Sequence, residues 1–436
     1  MKNYDIIILG GGPGGYETAL YAKEKGFDVA LVEAKFLGGT CLNCGCIPTK
    51  TYNAIAKELF ELKKSENFGI SANFTFDFSK AKVKKDAVIN ELRNGISFLL
   101  NKAGIDVYNG FGKIINKETI LVNEEELHAK YIIIATGSKN LDTIIKGSNF
   151  ALDSTSLLDI DSVPETLAII GGGVIGVEMA TIFNQFGSTV TIFEGMDSIL
   201  PNIDKELSRR LTSYLTRSGI KVNTKTKVLE IKEGSLVIDK NGNNEELAFD
   251  KILLSIGRIP NTSGIGLEEV GIETTRKGIV TNEYFQTNIP NVFAIGDVNG
   301  KIMLAHYADA SGKKVIDYLT GANVKEYPCP SAIFSIPEIA SVGLTEEELK
   351  ANGTEYVVKK TMYRSNGKAL AMDEIEGFIK TLVVNDKLVG CHIIGYDAST
   401  LIHEAVMLMN SGESVSVAKK YIYAHPTLSE LFKNSL

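Results

Sequence analysis

The chain contains one supersecondary unit twice. Tyr4–Leu9 reads as a buried strand, and Gly10-Gly-Gly12-Pro-Gly-Gly15 follows and opens a helical run that stops at Gly26. Asp28–Val32 is then a second strand, with Glu33 at its end. The order returns in the strand Leu167–Ile170, the turn Gly171-Gly-Gly173-Val-Ile-Gly176, the helix Val174–Phe186 with Gly187 as its stop, the strand Thr189–Phe193, and Glu194. Stop glycine and acid fall at identical offsets from the first glycine in both copies. Strand, G-x-G-x-x-G turn, helix, strand and acid form a dinucleotide-binding fingerprint. The glycines permit a tight turn and close backbone approach to a pyrophosphate, whose charge meets the unpaired N–H groups and positive dipole of the helix start. The acid suits a ribose hydroxyl. A single such turn also occurs in ordinary α/β units, whereas two copies in register predict an α/β chain with two dinucleotide sites.

At 436 residues the chain exceeds one core and predicts several domains. Its 46 basic and 53 acidic residues leave a net charge of −7, which argues against nucleic acid as a partner and gives no basic membrane patch. No apolar run approaches a membrane span, and Ile6-Ile-Ile-Leu9, bracketed by Asp5 and glycines, is too short for a signal peptide. Five cysteines in this length make no structural disulfide framework. Together these features predict a cytoplasmic protein.

The segment Gly39-Thr-Cys-Leu-Asn-Cys-Gly-Cys-Ile-Pro-Thr-Lys50 follows the first copy and precedes a helical run. A thiol pair beside a bound dinucleotide suggests two-electron redox chemistry, although buried structural thiols are the alternative. Four residues between Cys41 and Cys46 allow a disulfide in a suitably curved loop, and a helix start just after Cys46 favours the reactive thiolate. A nicotinamide is poorly suited to meet a disulfide, while a flavin can take hydride on one face and thiolate on the other. The first copy therefore reads as an FAD site and the second as the nicotinamide site. Glu194 would repel a 2′-phosphate, and Gly195-Met-Asp197 offers no cation, so NAD is expected over NADP. Cys41-x-x-Cys44-x-Cys46 lacks a fourth ligand for a tetrahedral metal, and Cys329 and Cys391 are remote singletons. No metal is expected, and Cys44 reads as a bystander able to scramble with the pair under oxidation. Near the C-terminus, His425-Pro-Thr-Leu-Ser-Glu430 offers a histidine suited to deprotonating a dithiol near neutral pH. Thr427-Leu-Ser-Glu430 is also a capping box.

The cysteine segment and the His425–Glu430 motif resemble the FAD-dependent pyridine nucleotide-disulfide oxidoreductases of class I. Leu304-Ala-His306, His392-Ile-Ile-Gly395 and Leu401-Ile-His403-Glu404-Ala405 look closer to the dihydrolipoamide dehydrogenase branch than to the glutathione reductase branch. The resemblance covers essentially the whole chain. It implies an FAD domain over 1–145, an NAD domain over 146–258, a central segment over 259–325 completing the FAD domain, and an α+β interface domain over 326–436. It implies that Cys46 faces the flavin, Cys41 exchanges with substrate, Lys50 reaches the flavin ring and pairs with Glu178, and Glu430 orients the base His425. Gly10, Gly12, Gly15, Glu33, Thr40, Lys50, Gly112, Asp297 and Ala305 match flavin-contacting positions. Gly171, Gly173, Gly176, Glu194, Val228 and Gly257 match nicotinamide-contacting ones. Ala135-Thr-Gly-Ser138 resembles the crossover between the two domains. Tyr423 replaces a histidine usual in the branch. His306, His392 and His403 read as structural.

The function implied is oxidation of protein-bound dihydrolipoamide by NAD⁺ in a homodimer serving a lipoyl-bearing protein of a 2-oxo acid dehydrogenase or glycine cleavage complex. The alternatives are an NADH-dependent reductase of another disulfide and a non-catalytic flavoprotein scaffold.

Overall fold

The computed structural model describes residues 2–141, 145–240 and 242–436. They form two compact units, one of Met1–Thr51, Lys80–Asp142 and Gly257–Lys325, the other of Tyr52–Ser79, Thr143–Ile256 and Glu326–Leu436.

In the first unit Lys2–Leu9 lies mid-sheet, parallel to Val29–Glu33 on one side and to Glu125–Ile134 on the other. Asp106–Asn109 extends the sheet beyond Val29–Glu33. The strands Thr119–Val122 and Gly112–Asn116 add antiparallel edges, and Val292–Ala294 joins Glu125–Ile134 in parallel. Ile6, Ile7 and Ile8 are all fully buried, as expected of a parallel strand covered on both faces, which is why the sequence shows a run rather than an alternation. The helix Pro13–Glu24 packs against Ala305–Leu319 through small residues. A Cβ added at Gly14 would stand 3.2 Å from Ala308 Cβ, and one at Gly312 would run into Thr18. The segment returning near the end of the unit therefore completes the domain that the first strand began.

The second unit contains the second copy as a parallel sheet, Lys221–Asn223, Thr189–Phe193, Thr166–Ile170 and Lys251–Leu254 in that order. The helix between its central strands spans Val174–Phe186, as its sequence pattern predicts. Lys227–Lys232, Ser235–Lys240 and Asn243–Ala248 form an antiparallel meander. Asn241, half of the expected Asn241-Gly242 turn, lies outside the described residues. A separate five-stranded antiparallel sheet runs Ser331–Ile333, Glu338–Gly343, Lys387–Gly395, Phe378–Val384, Val357–Met362, with the helix Ala398–Ser411 against it.

Lys380, on the fourth of these strands, is 1% exposed, and its ammonium meets Asp204 at 2.6 Å and Glu346 at 2.9 Å. Asp204 also caps the helix Lys205–Arg217 by accepting the Glu206 N–H. Three carboxylates, with Glu206 at 3.5 Å as the third, offset the desolvation of the buried lysine, and removing the lysine would leave the fully buried Asp204 carboxylate uncompensated. Among the described residues no helix is long and apolar enough to cross a membrane.

Candidate redox centre

The two glycine-rich turns have the same internal geometry. Gly10 and Gly171 take φ of +113° and +105°, a region that favours glycine. A Cβ at Gly15 would stand 1.8 Å from Gly10 O, and one at Gly176 would stand 2.1 Å from Gly171 O. Each helix then starts from a glycine, Gly12 or Gly173, with no side chain capping it. Such a start keeps side chains away from the N–H groups that meet an anion.

Both acids grip their own turn. Gly11 N–H donates to Glu33 Oε2 at 2.7 Å and Lys35 N–H to its Oε1 at 2.8 Å. Gly172 N–H donates to Glu194 Oε2 at 2.7 Å and Met196 N–H to its Oε1 at 2.7 Å. A carboxylate has about four lone-pair sites, so two remain for ribose hydroxyls. These cradles fit two dinucleotides.

The cysteine segment docks on the first turn. Gly38 N–H donates to Gly11 O at 2.8 Å, and a Cβ at Gly39 would stand 2.7 Å from Gly12 Cα. The run Gly39–Cys44 is a short helix rather than the curved loop expected, and the curve is confined to Gly45. A second helix, Cys46–Lys64, begins at Cys46 itself. The change of direction at Gly45 brings the two thiols into hydrogen-bonding contact. The contact with Cys46, together with burial, pushes the Cys41 thiol well above its ordinary range. Cys44 ends the first helix. Among the described residues no group of three His, Cys, Asp or Glu side chains is placed to hold a metal ion.

Asn43 braces this helix, a role its sequence does not announce. Its amide N–H groups donate to Leu37 O at 3.0 Å and Gly39 O at 2.8 Å. Its oxygen accepts from Arg93 Nη2 at 2.6 Å and Nε at 3.1 Å, and the Arg93 guanidinium lies over the Phe36 ring.

Three segments noted separately in the sequence meet in the first unit. Ser138 Oγ donates to Asp297 Oδ2 at 2.6 Å, Arg258 Nε donates to Ser138 Oγ at 2.8 Å, and Arg258 Nη2 donates to Ser138 O at 2.7 Å. Ala305 opens the helix that packs on the first glycine-rich helix, and Gly112 is so tightly placed that a Cβ would stand 2.5 Å from Leu9 Cδ1. Thr40 and Lys50 lie on the two cysteine helices.

In the second unit Glu178 is buried and accepts the Phe334 N–H at 2.9 Å. Val228 is buried in the meander, and Gly257, which belongs to the first unit, takes φ of +126°. Lys225 supplies a cation that the sequence reading missed, ion-paired with Asp197 at 3.6 Å beside the Glu194 loop. The signal was out of reach in sequence, because Lys225 belongs to a different strand connection. His425 faces Glu430 through Nδ1, at 3.1 Å and 3.2 Å from the two oxygens, and Thr427 N–H donates to Glu430 Oε2 at 3.0 Å. The Thr427 N–H first, and the His425 ring second, hold the Glu430 carboxyl below its usual range. Thr427 Oγ1 donates to Ala424 O, so the reciprocal half of a capping box is absent. His392 is fully buried between Ser341 Oγ and Leu344 O, and burial lowers its pKa.

Residues 4–312 match the family described as pyridine nucleotide-disulphide oxidoreductase, and residues 329–436 match that family's dimerisation domain. A dihydrolipoyl dehydrogenase of Acholeplasma laidlawii is 46% identical over 73% of this chain and 96% of its own length. One from Thermus scotoductus is 38% identical over 99% of this chain and 96% of its own length. The solved structure of the HOCl-induced flavoprotein disulfide reductase RclA from Escherichia coli superposes with a TM-score of 0.88 at 30% identity, over 98% of each chain.

Proposed function

Since this chain belongs to the pyridine nucleotide-disulphide oxidoreductase family, we propose that it is a dihydrolipoyl dehydrogenase, oxidising protein-bound dihydrolipoamide with NAD⁺. The observation that carries this is the contact between the Cys41 and Cys46 thiols on a segment docked against the first dinucleotide turn. Extended similarity to dihydrolipoyl dehydrogenases supports the substrate. Residues 1–145 and 259–325 form the FAD domain, 146–258 the NAD domain and 326–436 the interface of a homodimer. The enzyme works in the cytosol on a lipoyl-bearing protein.

FAD held by the first turn, when bound, carries two electrons between the cysteine pair and NAD held by the second. The protein's own residues do the thiol chemistry. His425, oriented by Glu430 through Nδ1, takes a proton from one thiol of the substrate. In the oxidised enzyme, whose Cys41 and Cys46 form a disulfide, the resulting thiolate attacks Cys41 Sγ; the Cys41–substrate bond forms, the Cys41–Cys46 bond breaks, and Cys46 leaves as a thiolate, which its helix start favours. The second substrate thiol, once deprotonated, attacks the substrate sulfur of that mixed disulfide and releases Cys41. Oxidised lipoamide leaves, and Cys41 and Cys46 remain as the reduced pair.

Similarity to RclA favours one second reading, an NADH-dependent reductase of another disulfide. Steady-state rates with dihydrolipoamide and a panel of other dithiols and disulfides decide between them. Dihydrolipoamide is expected to give the highest kcat/KM, and equal or better turnover of another member would remove the lipoamide assignment.

A further inference from the structure

We infer that Arg93 is a positioning residue of the redox centre: acting through Asn43, it fixes the roll of the helix that carries Cys41 and so sets how readily the Cys41–Cys46 disulfide closes. This rests on the proposed reading of Cys41 and Cys46 as the redox pair.

The helix Gly39–Cys44 is held in three ways. Just before its start, Gly38 N–H donates to Gly11 O at 2.8 Å. Leu42 is buried in the same apolar cluster as Ile89 and Ile96 of the helix Phe78–Lys102. Ile89, Arg93 and Ile96 follow one another at spacings of four and three residues, so they share one stripe of that helix. Burial is non-directional, and by itself it leaves a helix of 6 residues free to roll. The Arg93–Asn43 contact is directional.

The Asn43 amide donates to Leu37 O at 3.0 Å and to Gly39 O at 2.8 Å, while its oxygen accepts from Arg93 Nη2 at 2.6 Å and Nε at 3.1 Å. An amide can donate twice and accept at once, whereas a carboxylate there would face two carbonyls. The Arg93 fork is planar and pre-organised, and its carbon lies 4.3 Å from the Phe36 ring centroid, which restricts it further. Each helical residue turns by about 100°, so Cys41 lies about 200° around the helix from Asn43. A roll at Asn43 therefore swings Cys41 on the opposite side. Cys46 belongs to the next helix, beyond the bend at Gly45, so the contact between the two thiols depends on that roll.

The disulfide exists only with the two sulfurs together. The dithiol can occupy rolled-away conformations once the brace is gone. The constant for closing then falls by the fraction of the dithiol form that keeps the contact. A contact kept about one-tenth of the time makes the pair's potential about 30 mV less negative, the two-electron equivalent of tenfold.

The test equilibrates anaerobic holoenzyme, without NAD, in buffers of reduced and oxidised dithiothreitol. Closing the pair takes two electrons and two protons from Cys41 and Cys46 and passes them to oxidised dithiothreitol, which opens to its dithiol. Acid quenching, alkylation with N-ethylmaleimide, reduction and a second alkylation with iodoacetamide give the oxidised fraction of each cysteine by mass spectrometry. In Arg93→Met the midpoint should require an about tenfold higher ratio of oxidised to reduced dithiothreitol than in wild type, a shift of about +30 mV. Arg93→Lys keeps the charge without the fork and should shift the same way. Equal midpoints in wild type and Arg93→Met, even with a lowered Tm, or a wild-type midpoint in Arg93→Lys, would overturn the inference. A wild type in which Cys41 and Cys46 are never oxidised together would instead remove the redox pair on which it rests.

A second measurement locates the effect. Asn43→Ala should shift the midpoint in the same direction, and Arg93→Met added to it should shift it no further, since the arginine then has nothing to hold. Full addition of the two shifts would show Arg93 acting apart from Asn43 and would also overturn the inference.

Discussion

Glu430 engages His425 through the ring's Nδ1, with both carboxylate oxygens within reach at 3.1 and 3.2 Å, while the histidine side chain stays 78% exposed. The carboxylate is itself fixed by the Thr427 N–H. A base held at one nitrogen has its other nitrogen set for a substrate thiol, and the acid's work is orientation. Glu430→Gln should lower kcat for dihydrolipoamide by about 10²-fold, the low end of what a positioned base contributes. Ferricyanide reduction by NADH needs no dithiol base and should be unchanged. Equal loss in both assays would mean that Glu430 supports the fold rather than the base.

The second prediction concerns nicotinamide choice. Glu194 grips the Gly172 turn, and Lys225 beside it is ion-paired with Asp197. NADH should be preferred over NADPH, since carboxylate and 2′-phosphate repel. Replacing Glu194 and Asp197 together by serine removes that repulsion and releases Lys225. The preference should fall by about tenfold or more, equivalent to roughly 1.4 kcal/mol. The ratio of kcat/KM for the two coenzymes measures it, and an unchanged ratio would place the discrimination elsewhere.

The duplicated turns can be separated by one methyl group. A Cβ at Gly176 would stand 2.1 Å from Gly171 O, so Gly176→Ala must open the second turn, at a cost of about 1–3 kcal/mol. KM for NADH should rise while flavin content, read from visible absorbance, stays at the wild-type level. Loss of flavin with KM unchanged would reverse the assignment of the two turns.

Acid should weaken the second unit in two stages. Burial lowers the pKa of His392, so the unfolded chain binds the extra proton and stability falls as pH drops below about 6.5. Glu346, held down to about 2 by hydrogen bonds from Lys350 and Lys380, is depressed in the folded state. Its contribution is complete above the ordinary carboxylate range and disappears as pH falls from about 4.5 towards 2. Thermal melts of wild type and Glu346→Gln should differ at pH 7 and converge as pH approaches 2. A gap in Tm that is constant across that range would contradict the assigned ion pairing.

The glycine turns, their acids and the first helices were legible because each is local. A positive φ, a helix start and an acid 22 positions beyond the second glycine of each turn all lie within one unit of chain. The interface sheet was not readable in detail, because Phe378–Val384 is buried along nearly its whole length and shows no alternation. The Asn43–Arg93 brace and the Ser138–Asp297–Arg258 network join residues 50 to 159 positions apart, beyond any local pattern. The Thr427–Glu430 motif was ambiguous between capping and catalysis. In the structure one carboxylate accepts from the Thr427 N–H and also meets His425 Nδ1, so the two arrangements coexist and neither excludes the other.

The last prediction concerns assembly. Residues 329–436 match a dimerisation domain and carry His425, whereas the cysteines lie near the N-terminus. If the base serves the cysteines of the partner chain, a twofold dimer makes two equivalent sites from one self-complementary contact. Monomer should then bind FAD and fail to turn over dihydrolipoamide. Cys41→Ser and His425→Gln homodimers should each be inactive, for different reasons. After subunit exchange, a heterodimer carries one site with both lesions and one with neither. Activity should return to half the wild-type value in that species, isolated through a different affinity tag on each chain. A purified heterodimer that stays inactive would place His425 with the cysteines of its own chain, or remove it as the base.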